Sequence, residues 1–138
     1  MSARLLAVNV VHELIRGPTR WTAIDKRPVS GAVAVTELGL AGDEQCDTRY
    51  HGGPDKALYA YAEEDADWWS AELDREIPPG LFGENLTTHG LDITAALTGR
   101  VGAYLKVLST GPVQAGNRIV VVHRPSQGRT IGEISTRS

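Results

Sequence analysis

Apolar residues along the chain recur in short runs or in alternation, which is the pattern of β-strands. The run from Arg4 to Val11, interrupted by Asn9, predicts a largely buried first strand. Trp21 to Ile24 predicts a short second strand, which the polar bend Asp25-Lys26-Arg27-Pro28 ends. Further strands are predicted at 33–35, 81–88, 101–107 and 118–122.

One segment instead has helical periodicity. Ala62, Ala66, Trp69 and Leu73 fall at the spacing of a single helical face. Acidic residues crowd the first turns, where the helix dipole favours negative charge. The segment Ile77-Pro78-Pro79-Gly80 predicts the end of this helix.

Turn residues separate the predicted strands at regular intervals. Gly17-Pro18, Gly111-Pro112 and Gly116-Asn117 are typical of turns. Many short strands with one helix predict a mainly β fold of the small-barrel type. The chain of 138 residues has the length of a single domain, 1–138.

A glycine-rich stretch from Gly39 to Tyr61 has a different character from its neighbours. It is too polar for a core strand and too rich in glycine for a helix. Gly52-Gly53 before Pro54 predicts a tight turn that presents Arg49 and His51. We therefore expect a binding loop between regular elements.

Composition narrows the class of protein. The net charge of −3 argues against a nucleic-acid partner, which would favour a basic chain. One cysteine excludes an intrachain disulfide and fits a reducing compartment. The apolar run near the N-terminus is too short and broken for a signal peptide or a membrane span. These features predict a cytoplasmic protein without membrane partners.

Two groups in the glycine-rich stretch could suggest metal or nucleophilic chemistry. Asp43, Asp47, His51 and Asp55 are spaced by four, but this spacing has no geometric meaning outside a helix. Cys46 has acidic neighbours, which disfavour a reactive thiolate. We expect no protein-ligated metal, and a plain small residue at Cys46.

Basic residues flank both the predicted bend and the glycine turn. Lys26, Arg27, Arg49 and Lys56 would form a cationic pocket if the fold brought them together. Such a pocket, with main-chain N–H groups, suits an anionic or phosphorylated ligand. No P-loop pattern is present. Separate surface charges remain the alternative.

Glu84 and Asn85 form a second candidate pair, directly after Phe82-Gly83. A carboxylate beside an amide could hydrogen-bond a heterocycle. The same two side chains could instead hold the glycine-rich stretch in place, and the sequence leaves both interpretations open.

Four segments in this order resemble the MOSC domain family, named after the C-terminal domain of molybdenum cofactor sulfurase, and its stand-alone bacterial YiiM-like branch. The segments are Thr22-Ala23-Ile24-Asp25-Lys26-Arg27-Pro28-Val29, Gly39-Leu40-Ala41-Gly42-Asp43, His51-Gly52-Gly53-Pro54-Asp55-Lys56-Ala57 and Gly80-Leu81-Phe82-Gly83-Glu84-Asn85-Leu86-Thr87. The segments Gly102-Ala103-Tyr104-Leu105-Lys106-Val107-Leu108, Gly111 and Ala115-Gly116-Asn117 are similar to the family's C-terminal strands.

The resemblance implies a β-barrel of the MOSC, pyruvate-kinase-barrel-like type with one or two short helices. It also implies binding of molybdenum cofactor, a pterin with a dithiolene and a phosphate. The implied activities are sulfur transfer or molybdenum-dependent reduction of N-hydroxylated compounds. The cofactor-binding candidates are then Lys26, Arg49, His51, Gly52, Gly53, Lys56, Glu84 and Asn85.

One departure from the family pattern is large. The family has several dozen residues, with a Pro-Arg-x-Pro-Cys motif, where Gly99-Arg100-Val101-Gly102 joins the two flanks here. The chain contains no such motif, and Cys46 lies in a different segment. The domain is thus internally shortened near 99–102.

Three explanations fit this shortening: a paralogue that has lost the chemistry, a barrel completed by a second copy, or a sequence lacking a natural segment. Missing strands would leave edges that favour a homodimer. Two functions follow: a molybdenum-cofactor enzyme, or a non-catalytic binding module for a pterin or another anionic small molecule. A metal-dependent hydrolase built on the aspartates ranks below both.

Overall fold

The computed structural model describes residues 3–16, 21–43, 56–91 and 102–122, and within them it has nine strands and one α-helix. The mainly β fold predicted from apolar alternation is confirmed. The elements are β1 (Ala3–Arg16), β2 (Trp21–Pro28), β3 (Val33–Thr36), β4 (Gly39–Leu40), β5 (Leu58–Ala62), α1 (Glu63–Leu73), β6 (Leu86–His89), β7 (Ala103–Leu105), β8 (Gly111–Val113) and β9 (Arg118–Ile119).

The strands form two sheets. The larger has the order β2-β1-β6-β5-β7, with β9 also paired to β1, and the smaller has the order β4-β3-β8. β5 and β6 run parallel, and α1 connects them as a crossover, while the other pairs are antiparallel. Across the described ranges neither sheet closes on itself, so the barrel predicted from the sequence is present as two open sheets.

Both sheets contribute to one hydrophobic core. Leu5, Val8 and Leu58 come from the larger sheet, and Val35 and Leu40 come from the smaller. Burial of each such side chain contributes roughly 1.5–3 kcal/mol relative to leaving it exposed. The core therefore holds the two sheets together.

Helix α1 confirms the predicted helix, although its end differs from the prediction. It ends at Leu73 because Asp74 adopts a left-handed conformation (φ 49°) and donates its N–H to Ser70 O. Leu73 is 54% exposed, so the predicted apolar face holds only near the start, where Ala66 is buried. In the parts of the chain that the structure describes, no helix is long and apolar enough to cross a membrane.

The polar bend predicted at Asp25-Lys26-Arg27-Pro28 is wrong. These residues continue β2, because β1 pairs with them as far as Asn9 opposite Pro28. Pro28 is the last residue of the strand, where its missing N–H does not interrupt the ladder. The pairing places Lys26 beside Val11.

Two C-terminal predictions also need correction. Gly111-Pro112 is part of β8 and not a turn, and Pro112 pairs with Ala34 on an edge strand, where proline is tolerated. Gly116-Asn117 does form the predicted turn, in which Asn117 N donates to Gln114 O at 3.1 Å. The strands predicted at 81–88, 101–107 and 118–122 are shorter, with the bounds of β6, β7 and β9. Gly17-Pro18 lies outside the described residues.

Candidate functional site

Asp43 lies at the centre of a polar network that joins three parts of the fold. Its carboxylate accepts hydrogen bonds from Lys26 Nζ at 2.8 and 2.9 Å, from Asn85 Nδ2 at 2.7 Å and from Val11 N at 2.8 Å. The side chains of Lys26 and Asp43 are only 8% and 4% exposed. The β1–β2 register shifts just after Val11, which is where its N–H turns to Asp43. The network thus fixes β1, β2 and Asp43, which directly precedes segment 44–55, relative to each other.

Asn85 connects the strands on either side of it. Its Oδ1 accepts from Tyr59 N at 3.1 Å, and its own N–H donates to Tyr59 O at 2.8 Å. Its carbonyl oxygen accepts from Asn9 N at 2.7 Å. Each of these bonds satisfies a buried group that would otherwise destabilise the fold. Asn85 therefore holds β5 and β1 together where β6 begins.

Glu84 belongs to the same network and lies deep inside it, with 2% of its surface exposed. Its Oε2 accepts from Thr87 Oγ1 at 3.0 Å, and its Oε1 accepts from Phe82 N at 3.2 Å. Asn9 Nδ2 donates to Thr87 Oγ1 at 3.0 Å and to Glu84 O at 3.1 Å. Burial raises the pKa of the Glu84 carboxyl, because the ion loses hydration.

Lys56 lies apart from this network, beside two tyrosines. Its Nζ is 5.3 Å from the centroid of the Tyr104 ring, a cation–π distance. The Tyr104 and Tyr59 rings have centroids 5.0 Å apart and are tilted by 40°. Tyr59 accepts a hydrogen bond from Gly102 N at 3.0 Å, and burial raises the pKa of its phenol. The Lys56 ammonium and the exposed Tyr104 ring therefore lie next to each other where segment 44–55 ends.

The structure brings three of the eight sequence candidates into one network: Lys26, Glu84 and Asn85. The hydrogen bonds of Glu84 and Asn85 to Thr87, Phe82 and Tyr59 are those that the scaffolding interpretation expects. The charges of Lys26 and Arg27 are both balanced by carboxylates. Lys26 pairs with Asp43, and Arg27 Nε lies 3.2 Å from Asp25 Oδ1. The candidates Arg49, His51, Gly52 and Gly53 lie outside the described residues.

Sequence reasoning missed Asp43, Asn9 and Thr87 as members of this network. The other members of the candidate metal group of Asp43, which are Asp47, His51 and Asp55, lie outside the described residues, as does Cys46. Asn9 did leave a signal, since it interrupts an apolar run. A buried strand accommodates such an amide where hydrogen-bond partners are available, and Asn9 Nδ2 has two of them, Glu84 O and Thr87 Oγ1.

Comparisons with known proteins show which proteins this chain is similar to. A family model described as the MOSC domain matches residues 47–101. Protein YiiM of Escherichia coli (strain K12) is 46% identical over 74 residues, and the uncharacterized protein YflK of Bacillus subtilis (strain 168) is 44% identical over 70. Each alignment covers 51% of this chain. It covers 33% of YiiM and 32% of YflK, so the chain spans only about a third of the length of these relatives.

The fold comparison extends over nearly the whole chain. The crystal structure of YiiM from Geobacillus stearothermophilus superposes with a TM-score of 0.72 at 25% identity. The superposition covers 96% of this chain and 81% of that one. The family match, the two relatives and the fold comparison agree with one another: residues 47–101 are similar to the MOSC domain, and the fold is similar to that of YiiM.

Proposed function

We propose that this chain is a binding module for molybdenum cofactor, with segment 49–56 as the main contact. The observation that carries the proposal is the network that fixes Asp43 in the fold, six residues before this segment begins. Ala57 is fully buried and fixes the other end. Fixed residues on both sides of a glycine-rich segment would lower the ordering cost of presenting its main-chain N–H groups to an anion.

The described residues fit such a cofactor at one place. Lys56 supplies a positive charge for a phosphate, and the exposed Tyr104 ring supplies a flat apolar surface for a pterin. Arg49, His51, Gly52 and Gly53 would add charge and main-chain donors in the same segment. The role of Lys26, Glu84 and Asn85 would be to support the site, because their polar atoms already make hydrogen bonds within the protein.

Cofactor content tests this proposal directly. The protein is purified from a host that makes molybdenum cofactor, and molybdenum per chain is measured together with the fluorescence of the oxidised pterin. We expect both near one per chain. Absence of both from a folded protein would overturn the proposal. Pterin without molybdenum would support a module for the organic ligand alone.

The resemblance to the MOSC family implies a second candidate, an oxidoreductase or sulfur-transfer function. The cofactor, when bound, supplies two-electron redox chemistry at molybdenum. This chain's residues would bind and orient it, but the sequence has no Pro-Arg-x-Pro-Cys motif. Turnover of a hydroxylaminopurine by the cofactor-loaded protein, with a chemical reductant, would support the enzyme. Bound cofactor without turnover would support the non-catalytic binding module.

We further propose that two copies pair in solution to complete the barrel. The support is the open form of both sheets in the described ranges, together with exposed apolar residues near their C-terminal strands. Leu108, Val120 and Val122 are 89, 67 and 92% exposed. Open strand edges with apolar neighbours favour association.

A further inference from the structure

An apolar cavity lies beside the hydrophobic core, apart from the Asp43 network. Its volume is about 600 Å³, within the range of small-molecule sites. Both sheets line it, since Val113 belongs to the smaller sheet and most of the other lining residues belong to the larger one. The apolar wall consists mainly of Leu5, Leu86, Leu105, Val113 and Ile119.

The cavity and the polar network lie on opposite faces of the larger sheet. Side chains alternate between faces along a strand, and β6 shows this directly. Thr87 contacts Asn9 and Glu84 on one face, whereas Leu86 and Thr88 line the cavity on the other. The Thr88 side chain offers a ligand no hydrogen bond, because its Oγ1 has almost no accessible surface. The inner wall is therefore a purely hydrophobic contact surface.

Two exposed polar residues, Asn117 and Arg118, also line the cavity and mark its mouth. They lie where the turn leads into β9, which in the described ranges is an edge strand beside β1. Neighbouring side chains along a strand point to opposite faces, so these two flank the edge of the sheet at the mouth. Asn117 Oδ1 accepts from Gln114 N at 2.8 Å, which leaves the amide Nδ2 to donate to a ligand. The mouth therefore offers an amide donor and a guanidinium.

A second arginine adds to the positive charge at this mouth. Arg118 lies opposite Arg4 in the β1–β9 register, and both residues are exposed. Of the ion pairs between described residues, none includes either arginine. Like charges directly opposite each other destabilise a strand pair. An anion at the mouth would offset this repulsion.

We propose that the cavity binds a monocarboxylate with a hydrocarbon chain, whose carboxylate lies at the mouth beside Asn117 and Arg118. The chain would leave water for the apolar wall, which favours binding. The carboxylate would accept hydrogen bonds at the mouth and keep part of its hydration there. A cationic head group would instead be repelled by the two arginines. The cavity is separate from segment 49–56, so this proposal and the cofactor proposal can fail independently.

Decanoate and decyltrimethylammonium test the proposal, because they share one hydrocarbon chain and carry opposite charges. Each is titrated into ¹⁵N-labelled protein below its micelle concentration, while the amide shifts of Leu86, Ala103 and Ile119 are followed. We expect decanoate to shift these amides and to bind roughly 3- to 10-fold more tightly than the cation. Equal binding of the two probes would overturn the proposal, as would a titration in which decanoate shifts none of the three amides.

Arg118→Met removes the charge at the mouth and keeps a long, unbranched side chain. We expect decanoate to bind this variant roughly 3- to 10-fold more weakly, with a smaller difference at high salt, where exposed charges are screened. Arg75→Met is the matched control, because it removes an exposed arginine that lies just after α1 and does not line the cavity. Unchanged binding in Arg118→Met, or an equal loss in both variants, would contradict a carboxylate at this mouth.

Asn117→Asp tests the amide donor and preserves the contact that holds the turn. Aspartate keeps an oxygen that can accept from Gln114 N, and it replaces the Nδ2 donor with a second oxygen that repels a carboxylate. Decanoate should bind this variant about 10-fold more weakly or worse, while the amide spectrum stays that of a folded protein. Decanoate binding at the wild-type level would contradict the proposal.

Filling the cavity tests the position of the hydrocarbon chain. Ala60 on β5 pairs with Ala103 on β7, and both line the cavity, so a larger side chain at either position would occupy it. Ala103→Leu should remove decanoate binding from a folded protein, and Ala60→Val replaces it if the leucine variant does not fold. Unchanged decanoate binding in the filled variant would place the chain elsewhere and overturn the proposal.

Discussion

Lys26 Nζ contacts both carboxylate oxygens of Asp43, at 2.8 and 2.9 Å, and the pair is almost completely buried. Each charge has lost hydration on burial, and the ion pair between Lys26 and Asp43 compensates for part of this cost. The pair also connects β2 to the residue that precedes 44–55. Loss of either partner should therefore damage both stability and the proposed site.

Asp43→Ala removes the carboxylate that pairs with the buried Lys26 ammonium and accepts hydrogen bonds from Asn85 Nδ2 and Val11 N. We expect a loss of about 3–5 kcal/mol in the free energy of unfolding, measured by urea denaturation. Asp25→Ala is the matched control, because the Arg27 side chain of that pair is 58% exposed, and it should cost about 0–1 kcal/mol. Equal losses in the two variants would contradict the assignment.

Glu84→Gln should change how stability depends on pH. Burial raises the carboxyl pKa in the folded state, so the folded protein holds the proton more tightly than the unfolded chain. Its contribution is fully present below the unfolded pKa and is lost as pH rises through the folded pKa. The wild-type protein should therefore lose stability relative to Glu84→Gln from acid to neutral pH. Parallel urea midpoints for the two proteins across this range would refute the assignment.

Gly80→Ala should be strongly destabilising. Gly80 has φ +89°, and a Cβ there would lie 2.3 Å from Lys26 O. Left-handed strain of roughly 1–2 kcal/mol adds to overpacking of roughly 1–3 kcal/mol. Gly31→Ala is the control, because it has φ +83° and nothing within 4 Å, and it should cost only the strain. Urea denaturation compares them, and a difference below about 0.5 kcal/mol would count against the close approach.

Lys56→Met should reduce the retained molybdenum cofactor several-fold, since it removes the charge next to Tyr104. Lys106→Met removes a charge outside segment 49–56 and should leave cofactor content unchanged. The measurement is molybdenum and pterin per chain after gel filtration, at two salt concentrations. Equal losses in both variants would indicate a general charge effect and not a site at Lys56.

The proposed homodimer predicts a specific mass in solution. Light scattering should give twice the chain mass, and Val122→Asp should shift the protein towards a monomer, because a carboxylate opposes burial of that edge. Glu72→Asp, on the exposed end of α1, is a control that should not change the mass. A monomeric wild-type protein would exclude the dimer.

The sequence predicted the strands with clear alternation and the helix, because both depend on local pattern. It failed at Pro28 and Pro112, where pairing with β1 and β3 overrides the turn preference of proline. The site was harder to predict, since Asp43 and Asn85 are 42 residues apart and meet only through the sheet. No local pattern distinguishes an aspartate with three buried donors from one in a turn.

The position of β1 has a consequence for synthesis of the chain. This first strand pairs with β2, with β6 and finally with β9, where Ala3 lies opposite Ile119. Its hydrogen bonds therefore cannot all form until almost the last described residues have left the ribosome. Pairing over such long sequence separation slows folding. Until then the N-terminal apolar strand lacks part of its pairing, and such an exposed strand edge favours aggregation of the nascent chain.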